Sequence, residues 1–198
     1  MGKRIGMLGG TFDPIHYGHL KIAEKAYEEF NLDEVIFIPT GNSYMKENVT
    51  DASSRLDMVK LAVEPYKGFS VSDIEIKRSG NTYSYETILA LKELHKASTI
   101  FFIMGMDSLV SLKNWYKPEI ILSNSVILVA VREALISDLE PVIEEYKAEY
   151  ECDIQIISMD SYDISSTQIR NNIRNNVSVK DMLPANELAY INEKKLYR

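Results

Sequence analysis

The sequence predicts a doubly wound α/β fold, a parallel sheet covered on both faces by helices and followed by further helices at its C-terminal end. Three observations carry that expectation. Apolar runs of strand length alternate with amphipathic stretches of helix length. The runs are nearly continuous in Val, Ile and Phe, the pattern of strands buried on both faces. A Gly-Gly pair stands where the first run meets the first helix, the usual ligand-binding turn of such sheets.

Taken in order, strands are expected near Arg4–Leu8, Glu34–Ile38, Ser98–Met104, Ser125–Val131 and Asp153–Ile157. Helices are expected near Gly18–Phe30, Asp51–Val63, Tyr85–His95 and Leu139–Tyr150. In the first helix Leu20, Ala23, Tyr27 and Phe30 share one face, with Lys21, Glu24, Lys25 and Glu28 opposite, so the apolar face packs on the sheet. After Asp163 the pattern is helical only, with Ser165–Asn175 and Pro184–Lys194 separated by Val177–Leu183. No repeat or long Pro/Gly/Ser linker interrupts the chain, so residues 1–198 read as one domain whose helical part is 164–198. Ligands of such sheets bind beyond the strand C-termini, which directs attention to residues 8–20.

Composition narrows the function classes. A chain of 198 residues buries roughly 70% of its unfolded surface and needs no staple. With one cysteine and three histidines, neither a disulfide nor a dedicated metal site is expected, and a reducing cytoplasm suits it. The longest apolar runs, Ile100–Met104 and Val126–Val131, fall far short of the ~20 residues a membrane helix needs. Lys3 and Arg4 are followed too soon by Gly9-Gly10 and Asp13 to form a signal peptide. The 22 basic and 29 acidic residues leave a net charge of −7, the wrong sign for a nucleic-acid partner. An anionic ligand must therefore be met locally. Assembly into a homo-oligomer is compatible with all of this.

The strongest constellation is Gly9-Gly10-Thr11-Phe12-Asp13-Pro14-Ile15-His16-Tyr17-Gly18-His19. Two glycines allow close backbone approach, and the following helix N-terminus attracts phosphate. His16 and His19, three residues apart across the helix start, can face one crevice, with Gly18 leaving room between them. An incidental Gly-Gly turn and a pair of metal ligands are the other readings. This eleven-residue string resembles the H-x-G-H nucleotidyltransferase superfamily, whose members move a nucleotidyl group from a nucleoside triphosphate. The resemblance implies that His16 and His19 bind the triphosphate and stabilise the phosphorus under attack, and that Gly9, Gly10, Thr11, Phe12 and Gly18 belong to the ATP site.

A second string, Ile164-Ser165-Ser166-Thr167-Gln168-Ile169-Arg170, offers hydroxyls, free N–H groups and an Arg one turn on. Ser165 or Ser166 could equally be a helix cap. The string resembles the superfamily's second signature, which implies that Ile164, Ser165, Ser166, Thr167 and Arg170 hold ATP and that Arg170 also assists catalysis.

Arg78-Ser79-Gly80-Asn81-Thr82-Tyr83-Ser84-Tyr85-Glu86-Thr87-Ile88 reads on its own as a turn and a hydroxyl-rich helix start. It resembles a pattern of the bacterial nicotinate mononucleotide adenylyltransferases, with Ser84 where the family has a Thr at the nicotinate carboxylate. Gly105-Met106-Asp107 and Trp115-Tyr116 match further family positions. There Gly105 and Asp107 are implied at the nucleotide ribose, Trp115 stacked on the pyridine, and the N–H of Tyr116 at the carboxylate. Arg132 matches an Arg near the adenine. Lys46 matches a phosphate-reaching Lys, in Asn42-Ser43-Tyr44-Met45-Lys46 where the family has Asn-Pro-Pro-His-Lys. Thr11 and Lys46 are implied in the mononucleotide site as well. Leu183-Pro184, Tyr190-Ile191 and Leu196-Tyr197 look like the family's closing helices. The resemblance implies adenylyl transfer from ATP to nicotinate mononucleotide, giving deamido-NAD and pyrophosphate, with Mg²⁺ carried on the ATP phosphates. Phosphopantetheine adenylyl transfer, cytidylyl transfer and nucleotide sensing without turnover are the alternatives.

Overall fold

The structure of the chain, a computed structural model, describes residues 2–41, 49–160 and 164–198. Among the described residues six strands are formed: β1 (Arg4–Gly10), β2 (Glu34–Pro39), β3 (Phe69–Val71), β4 (Thr99–Gly105), β5 (Val126–Arg132) and β6 (Asp153–Met159). They lie in one sheet in the order β3-β2-β1-β4-β5-β6. The β1·β4, β4·β5 and β5·β6 ladders are parallel, with Ile5 beside Ile100, Phe102 beside Ile127 and Val129 beside Ile156. The helices are α1 (Tyr17–Glu29), α2 (Ala52–Val63), α3 (Ser84–Leu94), α4 (Met106–Leu112), α5 (Pro118–Asn124), α6 (Ile136–Glu149), α7 (Ser166–Arg174) and α8 (Ala185–Lys194). Among the described residues no helix is long and apolar enough to cross a membrane.

Every strand and long helix expected from the sequence is present, and the expected doubly wound α/β class is the observed one. Four short elements were not expected: β3, α4, α5 and a single 3-10 turn at Glu133–Leu135. The long uninterrupted strands are buried on both faces, as their Val/Ile/Phe composition requires; Ile100–Met104 and Ile127–Val131 are all in the core. Helix α2 starts where its sequence predicts, because the side chain of Asp51 accepts the Ser54 N–H at 2.9 Å and the Ser53 hydroxyl at 2.6 Å. Those bonds hold the Asp51 carboxyl down at about 2.

The chain folds as two compact units. The first comprises Met1–Gly9, Ile22–Val35 and Tyr83–Ser161; the second comprises Gly10–Lys21, Ile36–Thr82 and Tyr162–Arg198. In the first, Tyr146 of α6 ties down the end of α4: its hydroxyl donates to the Leu109 carbonyl at 2.8 Å and accepts the Lys113 N–H at 2.8 Å. In the second, α2 packs on α8.

Helix α8 carries an unusual group. Glu187 is fully buried, and neither of its carboxyl oxygens has a hydrogen-bond partner among the described residues. Burial pushes its pKa well above the ordinary carboxyl range, favouring the protonated form in the native chain. A carboxyl raised on folding stabilises the native state fully below its unfolded pKa, and that contribution is lost as pH climbs toward the folded value. Replacing Glu187 by Met removes this slope. Urea unfolding at pH 5 and pH 8 is expected to show E187M gaining on the wild type at the higher pH by about 1 kcal/mol or more. Parallel pH dependences would mean that Glu187 ionises without penalty.

Candidate active site

The second unit contains a cleft of about 570 Å³ lined by Gly10, Thr11, Phe12, Asp13, His19, Val49, Ser165, Ser166, Thr167 and Arg170. Two strings far apart in sequence thus face one space. The join is direct, since the Ser166 hydroxyl donates to the Pro14 carbonyl at 2.9 Å and Arg170 Nη1 donates to the Asp13 carbonyl at 2.8 Å. Arg170 Nη2 also donates to Thr167 Oγ1 at 3.2 Å, so its guanidinium is oriented from two sides. Ser165 is indeed a cap, accepting the Gln168 N–H at 3.2 Å while still lining the cleft.

The turn after β1 is shaped by sterics that sequence alone does not show. Phe12 is 2% exposed and adopts a left-handed backbone, φ 49°, unusual for a bulky residue. A Cβ on Gly10 would sit 2.9 Å from the Phe12 ring, and one on Gly18 would sit 3.0 Å from the His16 ring. The absent side chains thus make room for the Phe12 ring and for the His16 ring.

The two histidines are held differently. Their rings lie 3.7 Å apart, and His19 Nδ1 accepts the His16 backbone N–H at 3.2 Å, which puts the ring proton of His19 on Nε2. His19 also meets the Phe12 ring edge-on at 5.1 Å and reaches the cleft. His16 is 6% exposed, does not line the cleft, and its Nδ1 has no hydrogen-bond partner among the described residues. Burial lowers its pKa to about 4, so it is neutral across the working pH range.

The cleft is bordered by a polar cluster whose Arg55 the sequence did not single out. Arg55, 3% exposed, donates Nη1 to the Thr11 carbonyl at 2.7 Å, Nη2 to Thr40 at 2.7 Å and Gly41 at 3.4 Å, and Nε to Thr50 at 2.9 Å. Burial lowers its pKa and the charge of nearby Asp13 opposes that shift. Asp13 accepts the Tyr197 hydroxyl at 2.7 Å and the Thr50 N–H at 3.3 Å. Among the described residues, no group of three or more His, Cys, Asp or Glu side chains is gathered as a metal ion would need.

The first unit holds the remaining expected residues. Gly105 ends β4 and caps α4, Asp107 is exposed in the first turn of α4, and Arg132 is exposed at the end of β5. Trp115 is half-buried, its indole N–H donating to Ser111 Oγ at 3.3 Å and its ring 6.4 Å from Phe102. The Tyr116 ring lies 5.0 Å from Tyr83 and 5.7 Å from Tyr85, the two neighbours of half-buried Ser84. Lys117 Nζ stands 4.7 Å over Tyr85 and 5.3 Å over Tyr116. The fold therefore brings the 83–85 string to Trp115-Tyr116. Lys46 lies outside the described residues.

Comparison with known proteins gives the chain its family. The cytidylyltransferase-like family model matches residues 7–172. A Clostridium perfringens protein named "Probable nicotinate-nucleotide adenylyltransferase" is 41% identical over 199 residues, covering 99% of this chain and 98% of its own. A Desulfitobacterium hafniense protein of the same name is 39% identical over 201 residues, covering 99% and 96%. In structure, the Plasmodium falciparum nicotinic acid mononucleotide adenylyltransferase complexed with NaAD matches with a TM-score of 0.83 at 21% identity, covering 98% of this chain and 97% of that one; this supports the fold. With a family model across most of its length and full-length relatives near 40% identity, the chain belongs to the cytidylyltransferase-like family and, within it, to the nicotinate-nucleotide adenylyltransferases.

Proposed function

We propose that this chain transfers the adenylyl group of ATP to nicotinate mononucleotide, forming deamido-NAD and pyrophosphate in NAD biosynthesis. The observation that carries the reading is the single cleft on which the 9–19 string and the 164–170 string converge. A phosphate oxygen of the mononucleotide attacks the α-phosphorus of ATP, the bond to the bridging oxygen breaks, and pyrophosphate leaves. The nucleophile is already ionised near pH 7, so positioning and charge stabilisation do most of the work.

Each group has a place in that scheme. His19 presents its Nε2–H to the phosphorus undergoing attack, and His16 braces His19 from below. Arg170, Thr167 and the start of α7 hold the leaving phosphates, and Lys46 reaches toward them. Gly9, Gly10, Thr11, Phe12 and Gly18 shape the ATP cradle, with Ile164, Ser165, Ser166, Gly105, Asp107 and Arg132 completing the nucleotide contacts. Ser84, Trp115 and Tyr116 take the pyridine, with Thr11 and Lys46 toward the mononucleotide phosphate. Mg²⁺ enters with the substrate as MgATP, held mainly by phosphate and water oxygens. The chain works as one nucleotidyltransferase domain in the cytoplasm, on small molecules rather than nucleic acid, in keeping with its net charge of −7.

The test is pyrophosphate release with ATP and nicotinate mononucleotide, run beside phosphopantetheine as acceptor and CTP as donor. Turnover is expected with the first pair alone. In the same assay Arg170→Ala should raise the KM for ATP about tenfold or more, since a two-point guanidinium grip is lost. A rise in the mononucleotide KM alone would place Arg170 elsewhere.

A further inference from the structure

We propose that Tyr197, which follows α8, is a positioning residue for ATP binding: its hydroxyl holds the Asp13 carboxylate away from Arg170 and so leaves that guanidinium to the triphosphate. The inference rests on reading the second-unit cleft as the triphosphate site.

The problem Tyr197 solves is one of sign. Asp13 lines a cleft that must accept a polyanion, yet it carries a carboxylate, and its own carbonyl lies 2.8 Å from Arg170 Nη1. Arg170 meets the backbone of Asp13 and not its carboxylate; a carboxylate on that same residue, left without other partners, would turn to the Arg fork, since bidentate Arg–carboxylate geometry is among the strongest polar contacts available. It would then compete with phosphate for the same donors. The structure gives Asp13 other partners instead. Tyr197 donates to Oδ1 at 2.7 Å, the Thr50 N–H donates to Oδ2 at 3.3 Å, and the buried Arg55 adds positive charge. Of these, the Tyr197 bond is much the shorter.

The backbone after α8 is shaped to deliver that hydroxyl. Helix α8 ends with Lys195 in the left-handed region at φ 53°, the Leu196 N–H turns back to the Ile191 carbonyl at 3.1 Å, and Tyr197 is itself left-handed at φ 64°. Two non-glycine residues with positive φ within three positions are uncommon, and surrounding contacts must hold them. Burial and the neighbouring Asp13 charge both raise the phenol's pKa, so the hydroxyl keeps its proton and donates throughout the working pH range.

The experiment compares wild type, Tyr197→Phe, Asp13→Asn and the double variant, measuring pyrophosphate release with MgATP and nicotinate mononucleotide and calorimetric binding of MgATP alone. Y197F is expected to raise both the KM and the Kd for ATP about tenfold, with the mononucleotide KM unchanged. In the D13N background, where no carboxylate can compete, the same Tyr→Phe change is expected to move both constants less than twofold. Thermal melts and repetition at 15 and 30 °C separate this from loss of structure, because partial unfolding shrinks on cooling while competition for Arg170 persists. Y197F constants within twofold of wild type, or an equal effect with and without the Asp13 carboxylate, would overturn the proposal. Failure of the wild type to turn over while still binding ATP would strike the adenylyl-transfer reading instead, and the calorimetric comparison would still decide the role of Tyr197.

Discussion

Replacing His19 by Ala is expected to lower kcat by 10²-fold or more while leaving the KM for ATP within a fewfold. The asymmetry follows from where the imidazole donor acts. With Nδ1 accepting the His16 backbone N–H at 3.2 Å, His19 has one proton to offer, on Nε2, in the same cleft as Thr11 and Arg170. A preorganised donor of this kind gains most as charge builds on the transferring phosphate, and deleting one typically costs about 2.7–4 kcal/mol in the transition state. His16→Ala should also lose kcat, through the support it removes: its ring lies 3.7 Å from that of His19 and a Cβ on Gly18 would collide with it. Because burial holds His16 near a pKa of about 4, its contribution should not titrate between pH 6 and pH 9. Steady-state kinetics of the two variants check this; near wild-type kcat in H19A would remove His19 from the reaction.

The residues that made this site legible in sequence are those whose chemistry is local. Gly9 to His19 form one continuous turn and helix start, and Ile164 to Arg170 another, so their types and spacing already state their geometry. β3 was not legible because Phe69, Ser70 and Val71 are all half-buried and three residues show no period. Helices α4 and α5 have seven residues each, two turns, too few for an amphipathic stripe to declare itself. Arg55, and the pairing of Asp13 with Tyr197, escaped for a different reason. The Tyr197–Asp13 bond spans 184 positions, and a polar side chain met singly looks like surface until the fold closes around it. Glu187 is the extreme case: its sequence setting in the first turn of a helix is ordinary for an exposed acid, yet it is wholly buried.

Nicotinate mononucleotide is expected to exceed the nicotinamide form by at least about 10²-fold in kcat/KM. The donors proposed for the pyridine substituent, Ser84 and the Tyr116 N–H, flank a ring laid on Trp115. The fold supports their grouping, since Tyr83 and Tyr85 on either side of Ser84 both meet the Tyr116 ring. Lys117, poised over Tyr85 and Tyr116, adds positive charge to the same patch. A carboxylate accepts from every donor there, and hydrogen bonds to a charged group are the stronger kind. An amide offers one oxygen and turns its NH₂ against an N–H, leaving a group unpaired at a cost of roughly 1–3 kcal/mol before the lost charge is counted. Sites built for one polar pattern reject its mismatch by large factors. Competing the two mononucleotides at equal concentration and separating the products measures the ratio directly; equal use of both would falsify the acid-selective assignment and leave the phosphoryl chemistry standing.

Trp115 also gives the chain a spectroscopic property. It is the only indole among 198 residues and stands half-buried after α4, its N–H on Ser111 Oγ. Light absorbed at the red edge of the aromatic band, where the 12 tyrosines are nearly transparent, is therefore emitted from one known position. An electron-poor pyridinium laid on that indole, as proposed above, would quench it by accepting charge, whereas pyrophosphate has no ring to lay against it. Under the proposed placement the unlabelled native chain carries a reporter for the mononucleotide, and the order in which the two substrates bind would be followed by mixing alone.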